Sequence, residues 1–311
     1  MRPTQALTRS KPVLQLGYVA NQETGEPNVH VPFRFTLSNN PWRETGFRCG
    51  VFATSGGGKS HMLSLFAEEL SDIGNGFLFI DPDSEYRSLG DLPRVAVIDY
   101  DGDGDIKADG GGKWLETVAR LLTSGWGVVW DCSGMSQADQ FVEYSVLLNY
   151  LFEYQKRSKK LSQLYPFFLI IDEAQIFAPQ DGPAFPEARQ VTETIARRGR
   201  KFGINWVMAS QRPGDLIKKV IGMCNVRLIG RLEIPHDFDA VKEYVPRSFS
   251  LETFIRLRPG NFFMKVGADI NLVRGRQRRT DGTASATPAI EVRQHDLLSS
   301  NLDTVLNGFG R

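Results

Sequence analysis

The stretch ATSGGGKS at positions 53–60 constrains this chain more than any other. It fits the spacing of a phosphate-binding loop, with alanine in place of the first glycine. A short apolar run at 51–53 precedes it and a helical pattern over 60–70 follows, which is the strand, turn and helix that such a loop requires. Gly56, Gly57 and Gly58 let successive backbone N–H groups turn inward around a phosphate, and the helix start adds its partial positive charge. The expected cofactor-binding set is therefore Thr54, Ser55, Gly56, Gly57, Gly58, Lys59, Ser60 and His61. Lys59 is placed to reach the β- and γ-phosphates of ATP, and the Ser60 hydroxyl to meet Mg2+.

From Gly50 onward, short apolar runs alternate with helical spacing, the signature of an α/β chain with a mostly parallel sheet flanked by helices. Strands are expected at 51–53, 77–80, 95–98, 127–130, 167–171, 204–209, 226–229 and 261–266, and helices at 60–70, 115–122, 137–157 and 187–201. The alternating text of 13–35, broken by Glu23, Thr24, Gly25 and Pro27, reads as a β-hairpin or small β-element rather than a helix. The expected organisation is a short β-element over 1–47, an ATPase domain over 48–270 and an extended arm over 271–311. That arm begins with the basic run from Arg274 to Arg279 and continues into a Ser, Thr, Gly and Ala-rich tail.

YPFFLIIDEAQ supplies the other half of the expected site. A buried strand delivers Asp172 and Glu173 to the edge where open α/β sheets bind ligands. Asp172 is expected in the magnesium shell beside Ser60, and Glu173 as the base that polarises the attacking water. The strand INWVMAS ends at Ser210-Gln211-Arg212-Pro213, which puts the Gln211 amide near that edge as a sensor of the γ-phosphate or the water. A strand between the two phosphate-site strands, with a glutamate after the aspartate, points to the RecA/AAA-like branch of P-loop folds rather than the kinase or GTPase branch.

Two patterns imitate sites without completing them. DGGGKW at 109–114 lacks both the hydroxyl residue after lysine and a strand before it. Asp101, Asp103 and Asp105 begin like a calcium loop, but Ile106 stands where glycine is needed and Gly112 where glutamate is. The segment 101–112 is read as surface loop.

Charge and cysteine usage set the remaining bounds. Lys and Arg total 37 against 36 Asp and Glu, so contact with an anionic polymer has to come from local clusters. Cys49, Cys132 and Cys224 are widely spaced, against a disulfide framework or a zinc site and in keeping with a reducing cytoplasm. No apolar segment reaches membrane-spanning length, so membrane insertion is not expected.

The ordered motifs LGYVANQETG, ATSGGGKS, DPDSEY, IIDEAQ, ARRGRKFG and SQRP together resemble the HerA/FtsK superfamily of ring-forming DNA-translocating ATPases, and HerA more than FtsK. The resemblance covers roughly 17–266, and DPDSEY and the pair GRKFG and SQRP discriminate most. It implies a RecA-like core in a homo-oligomer, usually a hexamer, with ATP between neighbours and double-stranded DNA in the channel. It further implies an arginine reaching into the neighbour's site, Arg200 being the best match and Arg48 the second. DEAQ stands here for the commoner DEAH, and about fifty residues precede the loop where typical members carry a longer β-barrel.

The function expected is an ATP-driven motor on duplex DNA working with a nuclease or effector protein. The alternative is an ATP-gated oligomeric scaffold that recruits and switches an effector enzyme. Channel candidates are Lys218 and Lys219, then Lys156, Arg157, Lys159 and Lys160, which at helical spacing equally suit a solvated face.

Overall fold

The computed structural model describes residues 12–37, 46–100, 104–107, 112–181 and 185–280. The hairpin β1 (Val13–Ala20) and β2 (Pro27–Thr36) comes first. β3 (Arg48–Phe52) then leads into α1 (Lys59–Asp72), β4 (Phe77–Asp81), a 3-10 turn (Arg87–Asp91), β5 (Val95–Asp99) and the two-residue β6 (Ile106–Lys107). Next follow α2 (Lys113–Thr123), β7 (Gly127–Asp131), α3 (Gln137–Lys160), β8 (Phe167–Ile171), α4 (Ala174–Phe177) and α5 (Pro186–Arg198). A second 3-10 turn (Gly199–Phe202) precedes β9 (Ile204–Ser210), α6 (Lys218–Met223), β10 (Val226–Ile229), α7 (Pro235–Val241), α8 (Leu251–Ile255), β11 (Asn261–Val266) and β12 (Asp269–Gly275).

These strands form one sheet in the order β2-β1-β12-β11-β10-β3-β9-β8-β4-β7-β5-β6. From β10 to β6 every pairing is parallel, and from β10 to β2 every pairing is antiparallel. Apart from the short edge strand β6, the parallel strands are buried on both faces, which is why they read as apolar runs. Their pleat divides the core in two. In β4, Leu78 and Ile80 face the layer built by α2, α3 and α5, while Phe77 and Phe79 face α1 and the N-terminal hairpin. In β8, Leu169 and Ile171 join the first layer, Phe168 and Ile170 the second. The parallel topology carries the C-terminal ends of β3, β9, β8, β4, β7 and β5 to one edge. Among the described residues, no helix is long and apolar enough to cross a membrane.

Three expectations need correction. The expected arm boundary at 270/271 falls inside β12, which pairs β11 on one side and β1 on the other, so the hairpin continues the central sheet. The expected loop over 101–112 contains β6, which pairs β5 because the Asp105 carboxylate accepts the Val97 N–H at 2.8 Å and brings the segment alongside. Residues 101–103, 108–111 and 281–311, which hold the rest of that loop and of the arm, lie outside the described residues. Finally, the helix expected over 187–201 ends at Arg198 and tightens into the 3-10 turn, closed by Gly203 at φ 72°.

The basic run is not a free arm where it is described. Arg276 reaches Glu68 at 2.7 Å and Glu69 at 2.7 Å, and Arg279 reaches Asp72 at 2.9 Å, so this segment straps the acidic face of α1. The Glu68 carboxylate is fully buried and also accepts the N–H groups of Arg279 (2.6 Å) and Thr280 (3.0 Å). Burial raises its pKa, but the Thr280 N–H, the Arg276 guanidinium and the Arg279 N–H outweigh that and hold it below the ordinary value of 4.5. A carboxyl depressed in the folded state stabilises above its unfolded pKa, and that contribution is lost as pH falls through the folded one. Glu68→Gln should therefore cost about 2–3 kcal/mol at pH 7, because it leaves the partly buried Arg276 guanidinium without this carboxylate partner. Urea melts of variant and wild type at pH 7 and pH 3 check this: the gap should narrow at the lower pH.

Candidate nucleotide site

The glycine loop follows β3 directly and is packed from behind. Thr54 N–H donates to the Arg231 carbonyl at 2.8 Å, and Gly260 N–H donates to the Gly57 carbonyl at 3.0 Å. Gly58 sits at φ 99°, and a β-carbon there would come within 2.8 Å of the Gly260 nitrogen, so both the backbone angle and the close approach require glycine. Gly56 faces open space. Lys59 and Ser60 then open α1.

Lys59 is turned across the sheet edge and buried with two carboxylates. Its ammonium contacts Asp172 Oδ1 and lies 2.7 Å from Glu173 Oε1, with all three side chains at most 7% exposed. Burial lowers the lysine pKa, but Asp172 and Glu173 outweigh it and raise it above the ordinary value, so the cation is held firmly charged. Asp172 follows β8, and Glu173 takes the left-handed backbone at φ 46° that turns the chain into α4. For a residue with a β-carbon this conformation is unfavourable, and such residues persist where their surroundings over-determine them. Here Gln211 Nε2 donates to Glu173 Oε1 at 2.6 Å and Gln175 Nε2 donates to Oε2 at 2.5 Å. Burial raises the Glu173 pKa, but Lys59 and then these amides bring it below the ordinary carboxylate value.

Gln211 arrives from β9, which lies between β3 and β8 as expected from the sequence. The structure thus brings Lys59, Ser60, Asp172, Glu173 and Gln211 to one edge. It does not bring Arg200 there. Arg200 precedes the start of β9, and Gln211 follows its end, so seven residues of strand separate them, or roughly 20 Å. On that opposite edge Arg200 packs against Gly46 and lies near Arg48, whose pKa is lowered by burial, then by the charges of Arg200 and Arg227. The His61 side chain also faces away from the loop, contacting the Arg276 carbonyl at 2.6 Å, which leaves only its backbone N–H for a phosphate.

Four residues whose roles were not read from the sequence complete the edge, all in the DPDSEY segment or next to it. Asp81, at the end of β4, accepts the N–H groups of Glu85 (3.1 Å) and Tyr86 (2.9 Å) and so folds the segment back over α1. Burial pushes its pKa up to about 7. Glu85 accepts the Ser60 hydroxyl at 2.8 Å, and the buried Tyr86 hydroxyl donates to Asp172 Oδ2. Arg87 bridges Asp131 (2.9 Å) and Asp99 (3.0 Å), the ends of the next two strands. The sequence signal for this part of the edge was an acidic residue closing each of three apolar runs, Asp81, Asp99 and Asp131.

Residues 46–123, from β3 through α2, match the family described as "Helicase HerA, central domain". The DNA double-strand break repair helicase HerA of Pyrococcus furiosus is 39% identical over 84 residues, 27% of this chain and 15% of that protein. Over this segment the chain is similar to the HerA-type P-loop ATPases. Its matched segment spans only a small part of the HerA relative's length. Among solved structures, VirB4 of Thermoanaerobacter pseudethanolicus superposes with a TM-score of 0.62 at 12% identity, covering 85% of this chain and 96% of that one. The genome packaging NTPase of Sulfolobus turreted icosahedral virus 2, in complex with ATP-gammaS, superposes with a TM-score of 0.51 at 17% identity, covering 74% and 97%. At these identities the likeness shows a shared RecA-like fold. The HerA match includes DPDSEY, whose contacts at this edge give the motif a structural meaning.

Gly58→Ala should cost at least about 1 kcal/mol from the left-handed angle alone, with the Gly260 contact added. A thermal midpoint lowered by several degrees would show it, and an unchanged midpoint would mean that the loop relaxes freely.

Proposed function

We propose that this chain hydrolyses ATP with magnesium, as one subunit of a homo-oligomeric ring that moves double-stranded DNA. The observation that carries the reading is the convergence of Lys59 and Ser60 from one strand-helix unit with Asp172, Glu173 and Gln211 from two neighbouring strands. The donor set fits magnesium. Ser60 and Asp172 offer oxygen, as a hard cation requires, and among the described residues no group of three or more His, Cys, Asp or Glu is arranged to hold a metal alone. Magnesium characteristically takes one or two protein oxygens and completes its shell with phosphates and water.

The chain's own residues would act as follows. Lys59 exchanges its two carboxylates for the β- and γ-phosphates, and the glycine-loop N–H groups hold the remaining phosphate oxygens. Magnesium, when bound, supplies neutralising charge for the developing ADP leaving group. Relieved of Lys59, Glu173 becomes a stronger base and takes a proton from the water whose oxygen forms the new bond to the γ-phosphorus, as the bond to ADP breaks. Gln211 holds the Glu173 carboxylate in line. Arg200, on the far edge from its own site, is suited to the site of an adjoining subunit, and Arg48 lies beside it.

The scaffold reading draws support from the lysines considered for a DNA channel. Lys156 is paired with Glu153, Lys159 donates to the Lys201 carbonyl at 2.6 Å, and Lys219 lies 3.3 Å from Glu193. ATPase activity stimulated by duplex DNA and lost steeply with salt favours the motor, whereas DNA-indifferent hydrolysis that follows an added effector favours the scaffold.

Lys59→Ala should abolish hydrolysis. Glu173→Gln should keep nucleotide binding while turnover falls by roughly two orders of magnitude or more, and equal loss of binding would make Glu173 structural. Mixing Arg200→Ala with Glu173→Gln subunits tests the shared site: each alone is inactive, and activity should recover in part once subunits exchange. No recovery with demonstrated exchange would remove Arg200 from the neighbouring site.

A further inference from the structure

We propose that Glu85 and Tyr86 are positioning residues for the magnesium shell, Glu85 orienting the Ser60 hydroxyl and Tyr86 orienting the Asp172 carboxylate. The proposal rests on the reading of Ser60 and Asp172 as the protein's oxygens toward that ion, and extends it to a motif with no assigned role.

The segment that carries both residues is fixed by contacts independent of nucleotide. Asp81 Oδ1 accepts from the N–H groups of Asp83 at 3.3 Å and Glu85 at 3.1 Å, and Oδ2 from that of Tyr86 at 2.9 Å. Ser84, in the left-handed region at φ 57°, donates to Asp131 Oδ2 at 2.7 Å. Arg87 ties the far end to Asp131 and Asp99. The Tyr86 ring is 1% exposed and packs on Phe79 with centroids 4.2 Å apart. The backbone therefore presents Glu85 to Ser60 and the Tyr86 hydroxyl to Asp172.

The hydrogen-bond roles explain why this suits a cation. A serine hydroxyl has one proton and two lone pairs. By accepting that proton at 2.8 Å, Glu85 fixes the hydroxyl rotor and leaves the lone pairs for a ligand. Asp172 is divided in the same way. Its Oδ2 is taken by the Tyr86 hydroxyl, whereas Oδ1 faces Lys59 and the Glu173 N–H (2.8 Å). Once Lys59 turns to the phosphates, Oδ1 is the oxygen left facing the site. Partners of this kind hold ligand atoms in orientation, and losing one characteristically weakens metal affinity by about 10–100-fold.

The test uses the full chain, a fluorescent ATPγS derivative, and binding measured in EDTA and in excess Mg2+. The quantity read is the ratio of the two affinities. Tyr86→Phe, which keeps the ring on Phe79, and Glu85→Gln should each reduce the magnesium enhancement by about tenfold, with thermal midpoints confirming that both variants are folded. An unchanged ratio in both folded variants overturns the proposal. So does a raised ratio in Glu85→Gln, which would mean that the carboxylate only competes with the ion for Ser60. A wild-type chain that binds the probe in neither buffer would overturn the nucleotide-site reading itself, and the proposal with it.

Discussion

The buried contact of one ammonium with two carboxylates, Lys59 with Asp172 and Glu173, is the interaction on which the rest of this site depends. Burying three charges is costly unless each is paired, and here the pairing is internal, so the edge is satisfied without a ligand. The arrangement leaves one negative charge in excess among the three. It also keeps Glu173 weakly basic while Lys59 is present. In the proposed function, binding of a phosphate chain would remove that restraint and so would couple base strength to nucleotide occupancy through one lysine.

Around this contact the fold supplies fixed positions. Parallel strands carry the C-terminal ends of β9, β8, β4, β7 and β5, at Ser210, Ile171, Asp81, Asp131 and Asp99, to one edge, and the loops leaving those ends are cross-tied by Asp81, Asp131 and Arg87. On the face behind the glycine loop, the acidic side of α1 is held by Arg276 and Arg279. The helix carrying Lys59 and Ser60 is thereby anchored to the sheet margin formed by β1 and β12.

Much of this was legible in the sequence because local patterns carried it. ATSGGGKS and the apolar run before Asp172 and Glu173 each specify an element and its place, and the strand before Gln211 was correctly placed between them. What was not legible depended on contacts distant in sequence. The Ser60 contact with Glu85 and the strap of Arg276 on Glu68 join segments that no periodicity links. A run of arginines reads as a solvated arm until its carboxylate partners on α1 are known. Arg200 was named only through the resemblance, as an arginine for a neighbour's site, and the strand topology adds that it lies at the sheet edge opposite Lys59 and Asp172.

The central claim is that Lys59 exchanges its carboxylate partners for phosphate. A structure of the full chain with ATPγS and Mg2+ measures this most directly. The account predicts Lys59 Nζ within about 3 Å of phosphate oxygens, a hydrogen-bonding distance, with Glu173 released and facing the γ-phosphate. Nucleotide bound while Lys59 remains against both Asp172 and Glu173 would contradict it.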